Sequence, residues 1–180
     1  MSIVITSWLF LLLSAILIII VGLIRISRSG ISKTNETLAL GAFSFYICIV
    51  VSVTLLPIRI PGEIPYDFEY NLNPLEMLSV FYNRGMLVSA LENVLLFMPI
   101  SLLGFFAHVK WVNSIKASIL TAFLLSLIIE LLQGLEGYFM IAEGSMPVMD
   151  ITDIITNTIG GFAGYIICYF YRKQHIVESE

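Results

Sequence analysis

The stretch Met149–Gly164, MDITDIITNTIGGFAG, combines side chains that can do chemistry with glycines that can only pack. Asp150, Asp153 and Asn157 recur at spacings of three and four, which sets them on one helical face. Gly160 and Gly164 lie close to that face in a G-x-x-x-G pattern that lets a second helix approach closely. Two other stretches carry similar stripes: Ser126, Glu130 and Gln133 in FLLSLIIELLQG, and Ser89 with Asn93. Carboxyl groups hold protons more tightly in apolar surroundings than in water, and two close together do not readily ionise at once. Such a pair suits acid–base work near neutral pH. Glu130 and Asp153 are the candidates for the pair, and Asn93, Gln133, Asp150, Asn157 and Arg84 are candidates for binding a ligand. The same residues admit other uses. They suit a cationic or sugar headgroup, or Mg²⁺ or Ca²⁺ through oxygen ligands, although the pattern requires neither metal nor cofactor. They also suit a purely structural role, with the amides as interhelical glue and the carboxylates paired with Arg84 or Arg59.

The elements that must position these groups are built for lipid. The chain has 180 residues, 58% hydrophobic, and a mean hydropathy of +0.96, more than a soluble domain needs. The expected fold is an all-α, polytopic membrane helical bundle forming a single domain over residues 1–180. A bilayer core takes about 20 apolar residues per helix, and the runs Ile3–Ile24, Leu38–Ile58, Gly85–Ala107, Ala117–Leu135 and Ile151–Tyr171 meet that need. The first run lacks a basic leader and a small-residue cleavage site, so it reads as a span and not a signal peptide. Pro57 suits the end of the second span. Pro99 predicts a kink in the third and a freed carbonyl that must find another partner. Arg59–Arg84 reads mostly as loop. Its later part, Pro74–Tyr82, has Leu75, Leu78, Phe81 and Tyr82 at helical spacing, which predicts a short helix in the interface or folded onto the site.

Arg25, Arg28, Lys33, Lys110, Lys116, Arg172 and Lys173 fall on one side of this topology, and only Arg59 and Arg84 on the other. Short loops rich in Lys and Arg stay cytoplasmic, so the amino terminus is expected outside and the carboxyl terminus inside. Glu92 and Asn93, Glu130 and Gln133, and Asp150, Asp153 and Asn157 then all lie near the outer ends of their spans. A charge within a lipid-spanning segment is costly and normally faces protein or a wet cavity. The expectation is a small pocket opening to the outer leaflet.

Several function classes are excluded or disfavoured. The net charge of −4 with scattered bases argues against nucleic acid as a partner. Cys48 and Cys168 sit in apolar runs and read as small hydrophobes rather than a disulfide. His108 and His175 are isolated, and without HExxH or CxxC a zinc site is not expected. Glu63, Asp67, Glu69, Glu76, Glu136 and Glu143 read as a solvated acidic face, and Trp8, Trp111 and most tyrosines as interfacial anchors. No inverted repeat supports a secondary transporter.

Taken in order, several separated motifs resemble the VanZ-like membrane protein family: Thr54-Leu55-Leu56-Pro57, Asn71-Leu72-Asn73-Pro74, Asn93-Val94-Leu95-Leu96-Phe97-Met98-Pro99, Ser126 through Glu130 to Gln133, and Asp150-Ile151-Thr152-Asp153 running into Asn157-Thr158-Ile159-Gly160. The resemblance covers about Thr54–Tyr165. It implies an integral protein of the bacterial cell envelope. It also implies an association with resistance to lipid-tailed glycopeptides such as teicoplanin, without altered peptidoglycan termini. The family's motif positions map to Asn93, Phe97, Pro99, Glu130, Gln133, Asp150, Asp153, Asn157 and Gly160. The family pattern also has an arginine shortly before the paired aspartates, where this chain has Pro147. A basic partner for Asp150 or Glu130 would then be Arg84 or Arg59.

The expected function is to bind or modify a lipid or lipid-linked sugar at the outer leaflet, and the residues leave open whether this is catalysis. A non-catalytic scaffold and a small lipid transporter are the other readings. Nothing in the sequence sets an oligomeric state.

Overall fold

The computed structural model describes residues 3–29, 33–60, 70–139 and 149–177. Among the described residues, five helices are long and apolar enough to cross a bilayer: α1 (Ser7–Ser29), α2 (Thr34–Leu55), α3 (Arg84–Phe106), α4 (Ile115–Phe139) and α5 (Ile151–Val177). The all-α bundle matches the expectation, with shifted boundaries. The polar turn Thr34–Glu36 belongs to α2 because Glu36 accepts a 2.7 Å charged hydrogen bond from Arg25 of α1. At the other end Ile58 leaves the second span for a strand.

Among the described residues, four short strands form two ribbons. β1 (Ile3–Ile5) pairs antiparallel with β2 (Ile58–Ile60), Ile3 opposite Ile60. β3 (Tyr70–Asn71) pairs in parallel with β4 (Met149–Asp150), Asn71 opposite Asp150. Backbone leaving a helix near lipid must satisfy its polar groups, and here the connections satisfy one another. The ribbons gather the segments before α1, after α2, before α3 and before α5 on one side of the bundle. Next to them, Pro74–Phe81 forms a 3-10 helix with Pro74 in its first position and Asn73 accepting from the Leu75 N–H at 3.1 Å. Leu75, Leu78 and Tyr82 are exposed and Val80 is buried, as befits a segment lying in the interface.

α5 is wedged between α3 and α4, which touch each other little. Its small residues make this possible. Gly160 lies against the Val94 carbonyl and Phe97, and Gly164 against the Met98 carbonyl and Ser101, so a Cβ at either would collide with backbone. Gly161 meets Ala122 of α4. Val50, Phe97, Ile100, Ala122 and Ile129 form the buried apolar cluster. Close approach of this kind supplies the dispersion that helix association in lipid depends on. Pro99 lies within α3, and Tyr46 of α2 donates its hydroxyl to the Leu96 carbonyl in the turn before it, at 2.9 Å. α1 packs mainly on α2 and turns Leu12, Leu13, Ile16 and Leu17 outward, an arrangement suited to lipid.

Candidate functional site

The site begins at the amino end of α5. Asp150 stands directly before the helix and its Oδ1 accepts from the Thr152 N–H at 2.7 Å, which is N-cap geometry. The same oxygen accepts from Asn71 Nδ2 at 3.1 Å, across the parallel ribbon. In a capping box, the N-cap residue's own N–H is satisfied by a carboxylate three residues on. Here Glu130 does this from another helix, its Oε2 accepting from the Asp150 N–H at 2.8 Å. Asp153 holds the local position of the box but faces Asn93 of α3. A carboxylate so placed also meets the positive end of the helix dipole. Glu130 is 2% exposed and Asp153 half-buried, and the three carboxyl groups lie within electrostatic range of one another.

Below this cluster the polar groups continue into the three-helix core. Asn157, 4% exposed, donates from Nδ2 to Ser126 Oγ at 2.9 Å. Deeper still, Ser101 and Ser118 share a short hydrogen bond and both reach the Gly161 carbonyl, at 2.8 and 3.2 Å. The buried Cys168 thiol lies 3.8 Å from the Ser101 carbonyl, and neither it nor Cys48 is in a disulfide. Against this ladder, Asn93 Nδ2, Thr152 Oγ1 and Asn157 Oδ1 are buried without a hydrogen-bond partner among the described residues. Asn93 faces the Asp153 carboxyl, but not in ordinary hydrogen-bond geometry. The three atoms belong to residues beside Asp153 in sequence, one turn along its helix, or opposite it on α3.

Of the sequence candidates, Glu130, Asp150, Asp153, Asn93 and Asn157 come together. Gln133 bonds elsewhere, donating to the Thr54 carbonyl at 3.0 Å and tying α4 to the end of α2. Arg84 is exposed at the start of α3 and makes no ion pair among the described residues. Arg59 pairs with Val4 through the ribbon, and its side chain lies outside the described residues. So do Pro147, Glu63, Asp67, Glu69 and Glu143. Glu92 was placed only by depth, and it is exposed, because one residue along a helix turns the side chain about 100° away from its neighbour Asn93. One expectation needs correction. Glu136 is 7% exposed and thus not part of a solvated face: it follows Gln133 by one turn on the inward side of α4. Asn71 entered the reading as a motif residue only. Its contact with Asp150 depends on a pairing across 79 positions that no local spacing announces. No group of three or more His, Cys, Asp or Glu side chains among the described residues is placed to hold a metal ion.

The VanZ/LLP1 family model matches residues 43–172. The chain belongs to the VanZ/LLP1 family. It is 31% identical over 150 residues to Protein VanZ of Enterococcus faecium, covering 81% of this chain and 82% of that one. No solved structure matches it. The chain is a multi-pass bacterial membrane protein, with α2 from Phe43 onward and α3 to α5 as far as Arg172 inside the VanZ/LLP1 match. α1 precedes the match and packs against α2 beside it.

Proposed function

We propose that this VanZ/LLP1 protein protects the cell envelope against lipid-tailed glycopeptides such as teicoplanin by binding the headgroup of a lipid or lipid-linked glycan at the outer leaflet. The observation that carries this reading is the set of buried atoms around Asp153 without a partner among the described residues: Asn93 Nδ2 as donor, Asn157 Oδ1 as acceptor and Thr152 Oγ1 as either. Leaving a buried polar group unpaired costs about 1–3 kcal/mol, and a hydroxyl-rich headgroup offers both donors and acceptors. In this reading Asp153 and Glu130 accept from ligand hydroxyls and exchange a proton with the ligand where turnover occurs. Asn93 and Asn157 orient the ligand, Asp150 and Gln133 hold the helices that carry the site, and Arg84 meets a phosphate at the rim. The distribution of Lys and Arg supports an outward-facing site, since seven lie towards the opposite face and two on this one.

A scaffold reading is favoured by a different observation: Asp150, Asn157 and Gln133 each already bond within the protein. Glu130→Gln and Asp153→Asn separate the two. Each is expressed in a teicoplanin-susceptible bacterium, and the inhibitory concentration is read beside the amount of protein in the membrane and its thermal unfolding. The proposal expects normal amounts and stability with protection lost for Asp153→Asn and reduced for Glu130→Gln. Vancomycin, which has no lipid tail, should be unaffected. Protection that survives both substitutions overturns the proposal, and protection lost only in step with folded protein supports the scaffold.

A further inference from the structure

A second site lies on the opposite side of α4 from the carboxylates. The buried face of α4 is Ser118, Ala122, Ser126, Ile129 and Glu130. Its other face, with the short 3-10 turn Lys110–Val112 that precedes it, forms a groove of about 460 Å³. Leu120, Leu124 and Ile128 line its length, and Lys110 and Trp111 stand at one end. That volume is in the range of pockets that enclose small ligands. From Ala117 to Ile128 the helix rises ~16 Å, about half of a ~30 Å hydrocarbon core. The groove therefore runs from the membrane surface to near the midplane, the depth of one leaflet.

Its chemistry is divided end to end. The shaft is apolar, and Thr121 is held by a 2.7 Å bond to the Trp111 carbonyl. The mouth carries Lys110, the sole charged residue among those lining it, which makes no ion pair among the described residues. Trp111 is 72% exposed beside it, as expected of a ring at headgroup level. An occupant must be soluble in the bilayer, one leaflet long and negative at the end nearest the surface. We infer that this groove is a binding site for an anionic phospholipid, one acyl chain lying along Leu120, Leu124 and Ile128 and the phosphate on Lys110. The site is separate from the carboxylate cluster, so it stands or falls independently of the proposed headgroup site.

The probe is phosphatidylglycerol against phosphatidylcholine of the same chain length, each added to the detergent-purified protein and read as bound adduct by native mass spectrometry. The expected result is a one-to-one phosphatidylglycerol adduct retained about fivefold to tenfold more than phosphatidylcholine, whose choline neutralises its phosphate; that ratio is the scale of one lysine's attraction to a lipid of net negative charge. Lys110→Gln should abolish the preference, while Lys116→Gln, at a lysine that does not line the groove, should leave it intact. Leu124→Trp should fill the shaft and lower retention of both lipids. Each variant's thermal unfolding is compared with the parent, and Lys110→Gln, at an exposed position, is expected to fold normally. Equal retention of the two lipids, a preference that survives Lys110→Gln, or retention unchanged by Leu124→Trp overturns the inference, as does equal loss with Lys116→Gln.

Discussion

Asp150 serves two partners with one oxygen, and this makes it the residue whose loss is most readily predicted. Asp150→Ala removes the N-cap of α5 and the link to Asn71, and N-cap loss alone costs about 0.5–2 kcal/mol. Asp150→Asn keeps an acceptor at the same position. Thermal unfolding in detergent should therefore fall clearly for the alanine variant and little for the asparagine one, whereas equal falls would mean that charge, not capping, is what Asp150 supplies. Asp150, Asp153 and Asn157 were legible as neighbours because helical spacing fixes which side chains share a face, and Glu130 and Asn93 joined them because the Lys and Arg distribution sets the polar ends of their spans at the same depth. What that spacing cannot reveal is where a face points. Glu136 was misjudged for this reason: the interior is defined by the helices packed beside it, and a single acidic residue carries no sign of its direction. Nor could Gln133 be assigned its true partner, a backbone carbonyl at the end of α2.

The glycines of α5 differ sharply from those of the outer pair of helices. A methyl group at Gly160 or Gly164 would strike the carbonyl of Val94 or Met98, and backbone cannot move aside. At Gly41 the nearest atom is Ile18 Cγ2 at 3.6 Å, and at Gly22 Thr37 Cγ2 at 3.7 Å, both ordinary contacts. Gly160→Ala and Gly164→Ala should each separate α5 from α3 and lower the unfolding temperature strongly. Gly41→Ala should be neutral or stabilising, since Ala is favoured over Gly by about 1 kcal/mol within a helix. If all three variants unfold alike, close α3–α5 packing is not what holds the bundle. The spans themselves were readable from apolar length. Their ends were not, because they depend on events outside each run: the Arg25–Glu36 pair lengthens α2 at its start, and pairing with β1 draws Ile58 out of it at its finish.

Across the whole molecule, the two ribbons place Asn71, Asp150 and the end of α2 on one side of the membrane without reference to charge. Charge counting adds the expectation that this side faces outward. With both native cysteines replaced by alanine, Tyr82→Cys tests the ribbon side and Asn113→Cys the other, both at exposed positions. A membrane-impermeant maleimide applied to intact cells should label the first and spare the second, and the reverse pattern would invert the topology. Arg172 stacks over Phe105 at 5.0 Å and Tyr171 packs on Phe106, a basic and aromatic rim suited to the cytoplasmic face. The cap that Glu130 lends to α5 also has a consequence for biosynthesis. α3 and α4 leave the ribosome before α5, and until it arrives Glu130 and Ser126 lack the partners that it and the residue before it supply. α5 has one acid within it and another directly before it, two asparagine or aspartate bonds to make and three close-packed glycines, so of the five helices it is the least equipped to enter a bilayer on hydropathy alone. It is thus a keystone, set last into a gap already shaped for it. A nascent chain halted before residue 150 would display a ready mark for membrane quality control: a carboxylate and a serine on the bare side of a helix.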